Sequence, residues 1–450
     1  LMPALMAREL SRLLGAEHMI DAVSDPRAAA PYLSDATQTR GIRGAADVVV
    51  LPTTPEAVAA TLAYAYLHDV PVTPRGGGSG YAAGAVPEAG ILLSTERLAG
   101  VPHVEVERWS MNTPAGVTTA QVRQRAASHG LYYPPDPGSM EQSLIGGNIA
   151  TNAGGPHTFK YGVTGQWVRS LVVAVAPGEL VTLGQPVTKD VSALDLKSLI
   201  IGSEGTLGIV CAAQLALIPA PEVRLPLLAR YPDTATGVAA IAAILASGAV
   251  PAALEYLDQN TSPDGHFLVL AEADGSARAA REQAALIQEA MEPGALAIEA
   301  PTLRSKIDAL WSWREGVSLV TTARRGGKLS EDIVVPVTRL AEAIDQIIEI
   351  GVRHGLQACS WGHAGDGNLH ATLLIDPTDR HEIERAEAAA EEFFDLAIAL
   401  GGSVSGEHGI GAVKRTAAAR ALSPEVITLN RTIKAALDPK GLLNPGKKLP

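Results

Sequence analysis

Four shortages in this chain narrow what it can be. Cysteine is the scarcest residue, with only Cys211 and Cys359 in 450 positions. Two thiols so far apart cannot by themselves hold an iron–sulfur cluster, and free thiols are expected rather than a disulfide. Any electrons the protein handles must therefore leave through another molecule. Positive charge is short as well, with 36 Lys and Arg against 48 Asp and Glu for a formal charge of -12. No basic run offsets this locally, which argues against nucleic acid and against anionic lipid as partners. No stretch reaches the roughly 18 uninterrupted apolar residues of a membrane span. Arg8, Glu9 and Arg12 also interrupt the region where a secretory signal would be apolar. A cytoplasmic location is expected, and peripheral attachment to a membrane through an electron acceptor is compatible with it. Aromatic residues make up 4% of the chain, so the core must be built from Ala, Val, Leu and Ile.

What is present reads as a folded, soluble protein: 47% hydrophobic and 19% charged residues. The length allows two ordinary domains. The periodicity predicts a short helix over 5–20, a buried strand over 47–52, a helix from Thr54-Pro55 to about His68, and a strand over 70–73. Residues 74–90 lack helical period and read as a loop. A helix is expected over 119–129, Gly-rich irregular chain over 133–165, and strands over 171–176, 199–201 and within 206–219. The character changes at Pro219-Ala220-Pro221. Beyond it, helical runs (237–247, 277–291, 339–354) alternate with strand-like runs (225–230, 267–271, 332–337), as in a separate domain. Residues 381–400 form the clearest helix, closed by Gly401-Gly402.

Three glycine-rich segments carry the first chemical signal. In Pro74-Arg75-Gly76-Gly77-Gly78-Ser79-Gly80, consecutive glycines let backbone N–H groups converge on one anion, and Arg75 and Ser79 suit the same phosphates. Gly78-x-Gly80-x-x-Ala83 imitates the dinucleotide fingerprint. However, Gly84, Pro87 and Gly90 break the helix whose N-terminus should follow, so a nicotinamide Rossmann fold is rejected. The second segment, 143–155, mixes glycines with Ser143, Asn148, Thr151 and Asn152. The third, Ile200-Ile201-Gly202-Ser203-Glu204-Gly205-Thr206-Leu207-Gly208-Ile209, has the same composition.

A second signal joins histidines to a carboxylate. Gly362-His363-Ala364-Gly365-Asp366-Gly367-Asn368-Leu369-His370 spaces two imidazoles seven apart, and a loop joining two strands would bring them to one point. Gly406-Glu407-His408-Gly409 sets a carboxylate beside an imidazole. A lone histidine is more often structural than functional. Three of the 11 histidines, flanked by glycines together with a glutamate, reverse that expectation. His363, His370 and Glu407 suit a divalent metal such as zinc, while Asp366, between two glycines, reads as a turn residue. Cys359 reads as a core thiol, and Trp361 as either packing or pocket lining.

The three glycine segments, with Pro134-Pro135-Asp136-Pro137-Gly138-Ser139 before the second, resemble the FAD-binding domain of the vanillyl-alcohol oxidase superfamily. Within it they are most similar to the FAD-linked D-2-hydroxyacid dehydrogenases and oxidases. That group includes the glycolate oxidase catalytic subunit, D-lactate dehydrogenase and D-2-hydroxyglutarate dehydrogenase. The resemblance runs from about Ala46 to Lys447. It implies an α+β fold: a two-subdomain FAD-binding domain plus an α+β cap domain with an antiparallel sheet. The implied division is a helical lead-in over 1–45, the FAD-binding domain over 46–220, the substrate (cap) domain over 221–405, and a segment over 406–450 that returns to the FAD domain.

By the same resemblance, FAD contacts fall on Arg75, Gly76, Gly77, Gly78, Ser79 and Gly80. They continue on Pro135, Asp136, Ser139, Ser143, Gly146, Gly147, Asn148, Thr151, Asn152 and Gly154, then on Glu204, Gly208, Ile209 and Asn444. Some relatives attach the flavin covalently through a histidine in the first loop. This chain has Gly78-Ser79-Gly80 there, so noncovalent FAD is implied. His363, His370 and Glu407 match the family's metal ligands (zinc, or manganese or iron), and His408 matches its proton acceptor. Trp311-Ser312-Trp313-Arg314-Glu315 resembles the segment that supplies a substrate-carboxylate arginine, and Lys328 lies near the family's lysine for the same purpose.

The implied reaction is metal-assisted oxidation of a D-2-hydroxyacid to the 2-oxoacid, with hydride transfer to flavin N5. Electrons then pass to a quinone, a cytochrome, an electron-transfer flavoprotein or dioxygen. A homodimer is the expected oligomer. Thr372 and Ser318 stand where 2-hydroxyglutarate-type members carry Asn and Thr, which favours lactate, glycolate or a larger apolar hydroxyacid. A metal-dependent hydrolase leaves the glycine segments unexplained. A non-catalytic FAD-binding subunit leaves the histidines and arginine unexplained.

Overall fold

The computed structural model describes residues 3–449, which form two compact units. The first comprises the chain up to Ala153, Val163–Pro219, and the chain from Glu407 onward; the second comprises Gly154–Gly162 and Ala220–Gly406.

The first unit is built on two main sheets. A four-stranded sheet orders Met19–Asp21, Val48–Val50, Ile91–Ser94 and Val72–Arg75, the last three parallel. Parallel strands need a crossover, and the helix Pro55–Leu67 supplies the one from Val48–Val50 to Val72–Arg75, past the intervening Ile91–Ser94. The Thr54 hydroxyl accepts from the Ala57 N–H at 3.2 Å and Pro55 occupies the first turn, as the local sequence predicts. That helix is apolar nearly all round and buries Val58, Leu62 and Ala65. A five-stranded antiparallel sheet orders His103–Glu105, Ser110–Pro114, Ile209–Ala216, Val168–Val175 and Glu179–Leu183. One continuous core, including Val50, Leu62, Val72, Leu93, Ile145, Val173 and Leu215, runs through both sheets. Aliphatic residues dominate it, as the scarcity of aromatics requires.

The second unit is one seven-stranded antiparallel sheet. Its spatial order is Ala297–Glu299, Val223–Tyr231, Phe267–Gly275, Ala253–Leu257, Gln357–His363, Asn368–Ile375 and Gly327–Val334. Directly paired residues point to the same side, so the register sorts the chemistry. One face carries Leu254, Tyr256, Val269, Ala271, Leu329 and Ala371, covered by the helices Thr234–Ala246, Ala277–Met291, Leu340–Arg353 and Arg380–Ala399. The opposite face carries Glu255, Trp361, His363, His370 and Lys328. There the helix Arg304–Ala323 packs, with Trp311 and Val317 against Leu228, Leu257, Leu268 and Cys359.

Several expectations need correction. The helix expected over 5–20 ends at Leu14, because Gly15 turns at φ 97°. The strand expected over 199–201 is instead the end of the helix Leu196–Ile200, started by the Asp195 carboxylate accepting from Ser198 N–H. The strand expected over 332–337 runs Gly327–Val334, so Lys328 lies within a strand. The loop read over 143–155 contains the helix Ile145–Thr151. Glycine inside a helix costs about 1 kcal/mol, and tertiary contact outweighs that here. A Cβ at Gly146 would lie 2.8 Å from the Ala115 Cβ, a close approach that periodicity cannot foresee. Residues 154–162, expected in the FAD-binding domain, pack in the second unit.

Candidate functional site

The three glycine segments of the first unit meet one another. A Cβ on Gly76 would lie 3.2 Å from Gly147 Cα, one on Gly77 would strike the Gln142 carbonyl oxygen at 2.0 Å, and one on Gly205 would meet Pro74. Gly78 and Gly205 also adopt φ of 66° and 73°, conformations that glycine reaches without strain. The glycines thus serve backbone-to-backbone approach as well as any ligand.

Several expected cofactor residues hold this frame together. Asn148 donates to the Thr119 hydroxyl at 2.5 Å, Thr151 to the Gly147 carbonyl at 3.1 Å, and Ser143 shares a hydrogen bond with Thr119. Asn152 accepts from Gly165 N–H at 2.8 Å, and Asp136 stands 3.9 Å from Arg123. Arg75, read as a phosphate ligand, donates to the carbonyls of Ser34 and Pro31 and so ties down the N-terminal segment. Gly154 belongs to the second unit.

Glu204 is the fastener of the first unit. Its φ of 54° is left-handed, and its carboxylate accepts from Ile410 N–H at 2.8 Å and Gly411 N–H at 2.7 Å. That fixes the chain just after His408. Tyr81, which follows the first glycine segment, lies against the His408 ring with centroids 4.8 Å apart. Asn444 donates to the carbonyls of Gly84 and Glu204. Its Oδ1 and the Ser203 Oγ are buried without a hydrogen-bond partner among the described residues. Such groups cost about 1–3 kcal/mol each when left unsatisfied, and a bound polar molecule offsets that.

In the second unit the strands Gln357–His363 and Asn368–Ile375 form a hairpin. The turn between them, which contains Asp366, is the connection that the glycines predict. It brings the rings of His363 and His370 to 5.5 Å, edge to face, with a nitrogen of each within 4.8 Å of the other. Beneath them lies Glu255, fully buried, with one oxygen 2.7 Å from His363 Nδ1 and the other accepting from Arg314. Arg314 is 7% exposed, and its Nε has no hydrogen-bond partner among the described residues.

The Arg314 helix is anchored one turn earlier, where Trp311 Nε1 donates to Glu272 at 2.6 Å. Burial pushes the Glu272 carboxyl up, but the hydrogen bond from His157 and the charge of Arg224 outweigh it and hold the group below its ordinary range. Asp332, also fully buried, accepts from Ser405 and from Gly406 N–H at 2.6 Å, which fixes the chain end from which Glu407 follows by one peptide bond.

Lys328 donates to the Ser318 carbonyl at 3.0 Å, and its ammonium lies 5.0 Å from the centre of the Trp361 ring. Burial lowers its pKa to about 8. Cys359 is a buried thiol pushed up to about 12 by that burial, in keeping with a packing role.

Residues 220–448 match the family of FAD linked oxidases, C-terminal domain, and residues 46–184 match an FAD binding domain. Glycolate oxidase subunit GlcD of Bacillus subtilis (strain 168) is 35% identical over 415 residues, covering 89% of this chain and 88% of that protein. The chain belongs to the FAD-linked oxidase family.

A D-lactate dehydrogenase of Archaeoglobus fulgidus is 35% identical over 421 residues, 89% of this chain and 90% of that protein. A D-2-hydroxyglutarate dehydrogenase of Stutzerimonas stutzeri is 32% identical over 437 residues, 91% and 92% of the two chains. Among solved structures, p-cresol methylhydroxylase with substrate bound shares the fold at TM-score 0.81 and 16% identity, over 98% of this chain and 96% of that one. The α+β architecture expected therefore holds, with the fold shared with that structure, and FAD is the cofactor. Among the described residues, no helix of this FAD-linked oxidase is long and apolar enough to cross a membrane. Sequence reasoning missed Glu255, Glu272 and Asp332. The signal for Glu255 is a lone carboxylate in an apolar strand, Ala253-Leu254-Glu255-Tyr256-Leu257.

Proposed function

We propose that this FAD-linked oxidase oxidises a small D-2-hydroxyacid to the 2-oxoacid, with noncovalent FAD and a divalent cation, and passes the electrons to an external acceptor. The supporting observation is the arrangement around Glu255 in the second unit. An imidazole suited to a cation and a buried guanidinium with an unspent Nε share one carboxylate. A 2-hydroxyacid offers the complementary pair, an alcohol oxygen and a carboxylate one carbon–carbon bond apart. Relatives named glycolate oxidase subunit and D-lactate dehydrogenase support the same substrate class.

His363 and His370 would hold the cation, with Glu407 as the third ligand that the family resemblance implies, a donor set suited to zinc, manganese or iron. When bound, FAD supplies a hydride acceptor at N5 and the cation a Lewis acid for the alcohol. Arg314 binds the substrate carboxylate through its Nε edge, a charge-assisted contact, and Lys328 adds a second positive charge. His408 takes the hydroxyl proton as general base, with Tyr81 against its ring. Loss of that proton from oxygen and of a hydride from the α carbon leaves the carbonyl of the 2-oxoacid. Thr372 and Ser330 hydrogen-bond each other at 2.8 Å, and Ser318 is engaged by Lys328. These polar groups are thus occupied, which favours a monocarboxylate such as lactate or glycolate over 2-hydroxyglutarate.

The test is an anaerobic titration of the purified protein with D-lactate, glycolate and D-2-hydroxyglutarate, followed by flavin absorbance, with metal analysis alongside. Bleaching by a monocarboxylate is expected, and His408→Ala should keep its flavin yet fail to bleach. A colourless protein that also refuses added FAD would sink the reading. Wild-type rates in His408→Ala would remove the base.

A further inference from the structure

Glu255 has no role in the chemistry just described, yet it is among the most costly residues in the second unit to bury. Its side chain is 0% exposed, and a carboxylate so placed is tolerated only when paired and fully hydrogen-bonded. It meets that condition by serving two partners at once. The antiparallel register sets Glu255 directly opposite His363, with Oε1 2.7 Å from the ring Nδ1. Oε2 accepts from a terminal nitrogen of Arg314 on the overlying helix.

Each contact has a consequence. An ionised carboxylate only accepts hydrogen bonds, so His363 Nδ1 carries the proton and Nε2 keeps the lone pair that a cation needs. On the other side, Oε2 fixes the plane of the Arg314 guanidinium and leaves its Nε edge for an anion. The carboxylate also separates two positive centres that would otherwise repel, the guanidinium and a cation at His363. A 2-hydroxyacid requires its two holding groups at one fixed spacing, and a single rigid side chain bonded to both sets that spacing.

We propose that Glu255 is a positioning residue that couples the metal site to the carboxylate clamp, so that metal affinity and substrate recognition depend on one buried side chain. This rests on the hydroxyacid and metal reading above. In Glu255→Gln the amide can accept from one partner but must present N–H to the other donor. Zinc affinity, measured by chelator competition, should fall about 10- to 100-fold. KM for D-lactate should stay raised about tenfold or more at saturating zinc, corresponding to one lost charge-assisted contact. Flavin content and the cooperativity of melting should be retained.

A merely structural role would disturb melting and flavin content while leaving zinc affinity and KM at saturating zinc alone. That result, or wild-type values for both, overturns the proposal. If Glu255→Gln fails to fold, 15N NMR of histidine-labelled wild-type protein decides. Nδ1 of His363 should be protonated and Nε2 not, and the opposite tautomer overturns the proposal. A wild-type protein that takes up no divalent metal, or oxidises no hydroxyacid, would fail the functional reading instead. The tautomer then still tests Glu255 by itself.

Discussion

Replacing Lys328 with methionine should make the protein more stable at neutral pH while weakening its catalysis. The ammonium is held at a half-buried strand position, and burial lowers its pKa from 10.5 to about 8. A depressed lysine pKa means the charged form is worse off folded than unfolded. At about 1.4 kcal/mol per pKa unit, the cost at pH 7 is on the order of 3 kcal/mol. The bond to the Ser318 carbonyl and the contact with the Trp361 ring are present in the folded state, and methionine gives them up. It keeps the apolar stem, so a net gain of about 2 kcal/mol is expected at pH 7 once about 1 kcal/mol is allowed for the lost hydrogen bond.

The sign with pH follows from linkage. Between about pH 8 and 10.5 the unfolded chain binds a proton that the folded chain does not, so wild-type stability rises through that window. The advantage of Lys328→Met should therefore shrink toward pH 10. Urea denaturation at pH 7 and pH 10 reads both values. In parallel, kcat/KM for D-lactate should decline above about pH 8 in the wild type as the ammonium deprotonates. The variant should start lower and lack that limb. A variant less stable than wild type at pH 7, with the same alkaline limb in kcat/KM, would refute the reasoning.

Three further outcomes follow from single contacts. Glu204→Gln keeps one acceptor for the amides of Ile410 and Gly411 but loses the charge. It should cost about 1–3 kcal/mol and loosen the His408 segment, read as a lower melting temperature and a lower kcat. Gly362→Ala would place a Cβ 2.1 Å from the Asn368 carbonyl oxygen. That should break the hairpin carrying His363 and His370 and abolish metal uptake even where the flavin domain still binds FAD, as equilibrium dialysis would reveal. Tyr81→Phe should turn over like wild type because the ring against His408 remains, whereas Tyr81→Ala should lower kcat by about fivefold, the equivalent of roughly 1 kcal/mol of ring contact. Equal rates in the two variants would remove the ring from the mechanism.

Much of the architecture was legible before any coordinates. The helix Ala277–Met291 stands where its sequence pattern places it, and the cap of Pro55–Leu67 is written in Thr54-Pro55. The break at Pro219–Pro221 falls beside the start of the second unit's main segment at Ala220. The helix Ile145–Thr151 was not legible, because its glycines are chosen by contact with Ala115 and Gly76, residues distant in sequence. The bonds of Arg75 to the carbonyls of Pro31 and Ser34 were not legible for the same reason, since those residues lie more than 40 positions away.

Sequence by itself determined the chemistry available to this FAD-linked oxidase. Glycine spacing, the paired histidines and the arginine that follows two tryptophans are local patterns, and local patterns survive without coordinates. Tertiary structure alone decided which groups share a bond. Glu255, His363 and Arg314 are separated by dozens of residues, and only the antiparallel register and the helix across that face bring them to one carboxylate. A hydrogen bond depends on position to within a few tenths of an ångström, and no one-dimensional pattern carries that information.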